Sequence, residues 1–110
     1  MNGYYQLKQS DNGKFHFNLY SGNHQVILTS QMYADRSGAI NGIKSVQTNG
    51  TSDANFERKQ STNDEPYFAL KAANGQAIGR SQMYSSEAAR DNGIKSVQTN
   101  APSEDIREEK

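Results

Sequence analysis

Apolar and polar residues alternate in short runs through most of the chain. Tyr4 to Lys8 is the first such run and predicts a strand. Phe15, Phe17 and Leu19 interleave with His16, Asn18 and Tyr20, the pattern of a strand with one buried face. Asp11-Asn12-Gly13 between them predicts a hairpin turn, because Asn and Gly tolerate positive φ. Ser21-Gly22-Asn23 predicts a second turn, and Gln25 to Thr29 a third strand. The plan then recurs: strand Phe56 to Gln60, turn Thr62-Asn63-Asp64, strand Tyr67 to Lys71, turn Ala73-Asn74-Gly75, strand Gln76 to Arg80.

After each set of strands the period changes. Ile40, Ile43 and Val46 are three apart, which suits one face of a helix, and Ala88, Ala89, Ile94 and Val97 allow the same face. Asp35, and Ser85 or Ser86, can cap the first turn. Against this, Asn41-Gly42 and Asn92-Gly93 fall inside the helical pattern, where a glycine costs about 1 kcal/mol relative to alanine. The rival pattern is a short helix, an Asn-Gly turn and a strand over IKSVQTN. One helix is the preferred reading, since an identical glycine in both places lets it lie close on a sheet.

The recurrence is a duplication. Sliding the chain by 51 places lays SQMYADRSGAINGIKSVQTN (Ser30 to Asn49) on SQMYSSEAARDNGIKSVQTN (Ser81 to Asn100) without a gap. Phe17 falls on Phe68, Leu19 on Leu70, Gln25 on Gln76 and Ile27 on Ile78. The boundaries expected are repeat 1 over about 1–51, repeat 2 over about 52–101, and a short acidic tail, 102–110. Two copies are too few for a solenoid. One domain with an internal pseudo-two-fold axis, a dimer fused into one chain, is expected, and with it a monomer in solution.

Composition narrows the classes. The 110 residues are 33% hydrophobic, yet 9% are Tyr or Phe and the net charge is zero, so the polarity does not predict disorder. No apolar run is long enough to span a bilayer, and the start lacks the basic and apolar stretches of a secretory signal. With no cysteine there is no disulfide, thiolate nucleophile or Cys-type zinc site. A cytoplasmic location and no membrane partner are expected. Neutral charge argues against a strong bulk attraction to nucleic acid. It hides a split, however: residues 1–50 carry four basic and two acidic groups, and the last nine carry two basic and four acidic.

The strand GKFHFNLY, the turn AANGQ, S-x-M-Y and NGIKSVQTN together resemble the YegP-like family of bacterial proteins of uncharacterised function. The resemblance covers nearly the whole chain, in two copies. It implies an α+β fold. Two tandem β-β-β-α-β repeats build one antiparallel sheet with both helices on one face and the end strands exchanged. It also implies that Ile106 anchors a short last strand, as Phe56 does after the first helix. Two departures stand out: Arg58 occupies the Leu7 position and Pro66 the Phe15 position. The second copy's first strands are therefore expected to be shorter or at an edge. No catalytic residue carries over from the family.

Candidate chemistry is sparse. A site needed by both copies should recur, yet His16 aligns with Tyr67 and His24 with Gly75. Neither histidine is expected to bind metal, and carboxylates such as Asp64 and Asp91 do not recur as pairs. There is no G-x-S-x-G, Walker loop or G-x-G-x-x-G. No cofactor, metal or catalysis is expected. Ser30, Tyr33, Ser81 and Tyr84 do recur ahead of the helices. With Arg80 they make a candidate anion site at the helix starts, or they simply pack and close the strand–helix corner. Lys44 and Lys95 should face solvent. If Phe17, Leu19, Phe68 and Leu70 face the helices, then Tyr4, Gln6, Lys8, His16, Asn18, Tyr20, Tyr67 and Lys71 form an open face. A non-catalytic binding module using that face, with a protein partner, is the leading expectation. Single-stranded nucleic acid on its tyrosines and lysines is the second.

Overall fold

A computed structural model of the chain describes residues 3–108; Met1, Asn2 and the last two tail residues, Glu109 and Lys110, lie outside the described residues. The strands are β1 (Tyr4–Gln9), β2 (Phe15–Tyr20), β3 (Val26–Ser30), β4 (Phe56–Gln60), β5 (Pro66–Lys71), β6 (Ala77–Arg80) and β7 (Ile106–Glu108). The helices are α1 (Arg36–Asn49), after β3, and α2 (Glu87–Asn100), after β6. Each helix is continuous over 14 residues, so the Asn-Gly pairs do not break it. The Asp35 carboxylate accepts from the Gly38 N–H at 2.7 Å, and the Ser86 hydroxyl from the Ala89 N–H at 3.1 Å. These caps satisfy backbone donors that the first turn leaves open.

All the strands join one sheet in the order β4-β5-β6-β3-β2-β1-β7. The strand following each helix crosses to the other unit: β4 pairs with β5, and β7 returns to β1. The sheet departs from the expected antiparallel plan at this last pair, which is parallel. Ile106 does begin β7, but it remains 40% exposed, so backbone pairing rather than an apolar anchor holds the strand. The Tyr5 N–H donates to the Asp105 carbonyl at 2.8 Å.

The helices cover one face. Tyr5, Leu7, Phe17, Leu19, Leu28, Phe68 and Leu70 are buried beneath Ile43, Val46, Ile94 and Val97. Gly42 and Gly93 are the close-approach points. A Cβ at Gly42 would overlap the Tyr33 hydroxyl and lie 2.7 Å from its Cζ; at Gly93 the Tyr84 ring is met in the same way. The second unit replaces an apolar patch with ions. Where the first has Leu7 and Ile40, the second has Arg58 bonded to Asp91 at 3.1 Å, with Asp53 at 3.3 Å. Accordingly β4 is a five-residue edge strand, and Pro66, which lacks an N–H, stands first in β5.

Thr29 on β3 pairs with Arg80 on β6, its own counterpart 51 places on. The pseudo-two-fold axis therefore passes between these two residues. Beside it the units differ. Leu28 faces the core, while its counterpart Gly79 sits so close to β3 that a Cβ would lie 2.6 Å from the Thr29 carbonyl oxygen.

Candidate functional site

Strand register decides which side chains share the face away from the helices. One row across the sheet reads Glu57, Ala69, Arg80, Thr29, Asn18, Gln6, Arg107. Lys8 pairs with His16, Tyr4 with Tyr20, and Lys59 with Tyr67 on the same face. Tyr4, Lys8, His16, Tyr20, Tyr67 and Lys71 thus share the uncovered side, together with Gln6 and Asn18. The register adds Arg107, which sequence reasoning left in the acidic tail. Among the described residues, the strands there present the cations Lys8, Lys59, Lys71, Arg80 and Arg107 against the carboxylate Glu57, and Asp105, just ahead of β7, adds a second carboxylate beside Arg107.

The two ends of this face have different chemistry. At the β1 end, Tyr4 and Tyr20 stack with ring centroids 4.8 Å apart and planes 4° from parallel. The Arg107 guanidinium lies 3.8 Å from the Tyr4 ring centre, a cation–π contact. Asp105 holds that guanidinium by ion pair at 3.1 Å. The Tyr4 hydroxyl and His24 Nδ1 are hydrogen-bonded at 3.1 Å. His24 reaches it from a left-handed backbone position, φ 68°, where its counterpart is Gly75. Tyr4 is consequently only 8% exposed. At the β4 end, Glu57 bridges Lys71 at 2.9 Å and Lys59 at 3.0 Å. These ammonium groups, Lys71 first, lower the Glu57 pKa.

Between the ends lies a groove of about 470 Å³ on the axis, lined by Thr29, Lys59, Tyr67, Arg80, Gln31 and Met32. Met32 is 46% exposed there. Arg80 is exposed and makes no ion pair with another described residue. His16, on the neighbouring strand β2, has a buried Nδ1 without a hydrogen-bond partner.

The residues expected at the helix starts are distributed otherwise. Arg80 belongs to the open face at the axis, not to the start of α2. The Ser30 hydroxyl accepts from the Phe17 N–H at 2.9 Å and donates to the Gln31 carbonyl. Ser81 does the same for Phe68, at 3.0 Å, and Gln82. Both serines are buried and replace a missing ladder bond. Tyr33 and Tyr84 stack on Phe17 and Phe68 and lie over the helix glycines. Burial raises both phenol pKa values, and hydrogen bonds from Gln31 and Gln82 partly oppose it. The Asp35 carboxylate at α1 and Glu87 in the first turn of α2 already place negative charge at the helix starts. An anion there meets repulsion as well as free N–H groups.

Comparison with known proteins follows the duplication. Residues 10–57 and 61–108 each match a family described as "Domain of unknown function (DUF1508)", with the same 51-residue offset. UPF0339 protein YegP of Yersinia pestis is similar at 48% identity over 106 residues, covering 96% of this chain and 95% of that protein. The chain belongs to the YegP-like family. A UPF0339 protein of Shewanella oneidensis is 56% identical over 98% of both chains. The solution NMR structure of yegP from E. coli, described as a protein of unknown function, superposes with a TM-score of 0.93 at 41% identity. That match covers 98% of this chain and 93% of the E. coli chain. In this YegP-like chain, no three His, Asp or Glu side chains among the described residues gather as metal ligands. No described helix is long and apolar enough to cross a membrane.

Proposed function

We propose that the protein is a non-catalytic binding module whose open sheet face engages an acidic segment of a protein partner. Support comes from the segregation of charge. Among the described residues, a chain of zero net charge presents five cations on the strands of one sheet face, against Glu57 and the adjoining Asp105. Four of its twelve acidic residues, Asp35, Asp53, Glu87 and Asp91, belong to the helices and the segments joined to them. Glu57 offsets Lys59 and Lys71, and Asp105 offsets Arg107, so the uncompensated charge centres on Arg80 and the axial groove. Complementary charge of this kind sets orientation and association rate more than raw affinity. The non-catalytic half of the reading is supported by Ser30 and Ser81, one of the recurring hydroxyl pairs, whose donor and acceptor roles are taken up by the backbone.

A second reading, single-stranded nucleic acid on the same face, draws on the tyrosines beside the cations. Stacking needs an open aromatic face. Tyr4 has Tyr20 against it and Arg107 over it, so it offers no open face; Tyr20, Tyr67 and His16 remain partly open. The acidic-peptide reading therefore leads.

Fluorescence anisotropy of a labelled Glu/Asp-rich peptide and of a labelled oligo-dT, each titrated with the full-length protein at low and high salt, tests both. The expected result is peptide binding that weakens with salt and falls severalfold in Arg80→Ala. Tighter binding of oligo-dT transfers the proposal to nucleic acid. No binding of either at low salt overturns the open-face reading.

A further inference from the structure

Two clefts away from the strands of the open face carry a separate signal. Each lies between a helix and a hairpin turn supplied by the other unit. The larger, about 470 Å³, has Gln25 from the β2–β3 turn, Gln82 and Tyr84 from the link into α2, and Asn92 and Ser96 from α2. The smaller, about 240 Å³, has Gln76, Gln31, Tyr33, Asn41 and Ser45 in the same places. Each of these residues matches its counterpart 51 positions away. The clefts are thus a pair about the pseudo-two-fold axis, and each needs both units to be complete.

Folding accounts for some of these identities but not all. Tyr33 and Tyr84 cover the helix glycines, and Gln31 and Gln82 pair with their hydroxyls. Ser45 and Ser96 accept from Asn49 and Asn100. Gln25, Gln76, Asn41 and Asn92 have no such role. All four are exposed, and their side chains make no hydrogen bond with another described residue. Meanwhile the neighbours of Gln25 have changed between copies, His24 to Gly75 and Val26 to Ala77. Unpartnered amides kept in both copies, and converging from two elements on one cleft, point to a ligand.

The lining sets its chemistry. No charged side chain lines either cleft, in a chain that is 22% charged, so no counter-charge awaits an ion. Each primary amide offers both donors and an acceptor. Ile27 and Ile78 add an apolar wall. The strands alongside, β3 and β6, are interior to the sheet and leave no edge for an extended peptide. The larger volume falls in the lower half of the range for small-molecule sites and the smaller falls below it. Hydroxyl groups, each donor and acceptor, set around a compact ring meet these conditions. We infer that each cleft binds a small uncharged sugar, giving two equivalent sites per chain.

Side-chain amide resonances of the ¹⁵N-labelled full-length protein, titrated with glucose, N-acetylglucosamine and trehalose, test this. The expected result is saturable shifts, for at least one of the sugars, at Gln25 and Asn92 and in parallel at Gln76 and Asn41. Asn92→Ala, at an exposed position, should abolish the response of the larger cleft and leave the smaller unchanged. The inference is overturned by no saturable shift with any sugar, by a response in one cleft alone, or by responses to a capped dipeptide amide or inorganic phosphate in place of sugar. None of the four amides probed lies on the strands of the open face, so failure here leaves the acidic-peptide reading to stand or fall by its own titration.

Discussion

At Gly42 and Gly93 the absence of one methyl group sets how near a helix comes to its neighbours. Alanine at either site gains up to about 1 kcal/mol of helix propensity. The added Cβ would overlap a tyrosine hydroxyl, and overpacking of that kind costs about 1–3 kcal/mol. Gly42→Ala and Gly93→Ala should therefore each lower the urea midpoint, the opposite of what an isolated helix would show. Ser30→Ala and Ser81→Ala orphan the buried Phe17 and Phe68 N–H groups, a loss of about 1–3 kcal/mol. Faster hydrogen exchange at those two amides is the confirming measurement. The sequence pattern marked both pairs, because both recur. It did not show that Ser30 and Ser81 turn inward, since a hydroxyl reads as surface unless the missing ladder bond is known. Arg80 adjoins Ser81 in sequence, which suggests the helix start, but the strand carries it to the open face. The register shifts at Leu19/Tyr20 and Leu70/Lys71 leave one extra residue, Ile27 or Ile78, in the facing strand. That bulge reverses the alternation after it, putting Leu28 inward and Arg80 outward.

The edge strands are the elements that pattern reading handled least well. Three residues of β7 have no periodicity to read, and parallel pairing with β1 depends on contacts nearly a chain length away. The strand is tied to α1 by a bidentate ion pair, Arg36 to Glu108 at 3.0 and 2.7 Å. Deleting residues 105–110 should speed exchange of the Tyr5 amide and expose the β1 edge, so that light scattering shows concentration-dependent self-association. Unchanged exchange at Tyr5 would mean that β7 contributes no pairing in solution. At the opposite edge, Glu57 ties β4 to Lys71 on β5. Its pKa is lowered in the folded state, so its contribution is present above the unfolded carboxylate pKa and lost as pH falls through the folded value. The stability difference between the unaltered protein and Glu57→Gln should shrink toward zero on acidification, and also at high salt because the group is exposed. Urea midpoints measured across acidic pH check both trends.

For the molecule as a whole, the repeat was the most legible feature. It revealed two units, one axis and a shared core from residues alone. The charge asymmetry was legible only as totals per segment. Pleating sorts neighbouring residues onto opposite faces, so Glu57 and Arg58, adjacent in sequence, serve different sides of the sheet. What the repeat could not reveal is how far the halves have parted at their junction. Residues 1–51 and 52–110 made as separate chains should associate with each other on mixing, seen as a new species by light scattering. The first alone should fail to form a stable pair, since Leu28 would have to occupy the space that Gly79 leaves empty.

That last contact has a historical side. A self-pairing ancestor needs one residue that satisfies both sides of its axis at once. With leucine on one side and glycine on the other, each half has become the other's specific complement. Cutting the chain between the units would yield two subunits that need each other, not one that pairs with itself.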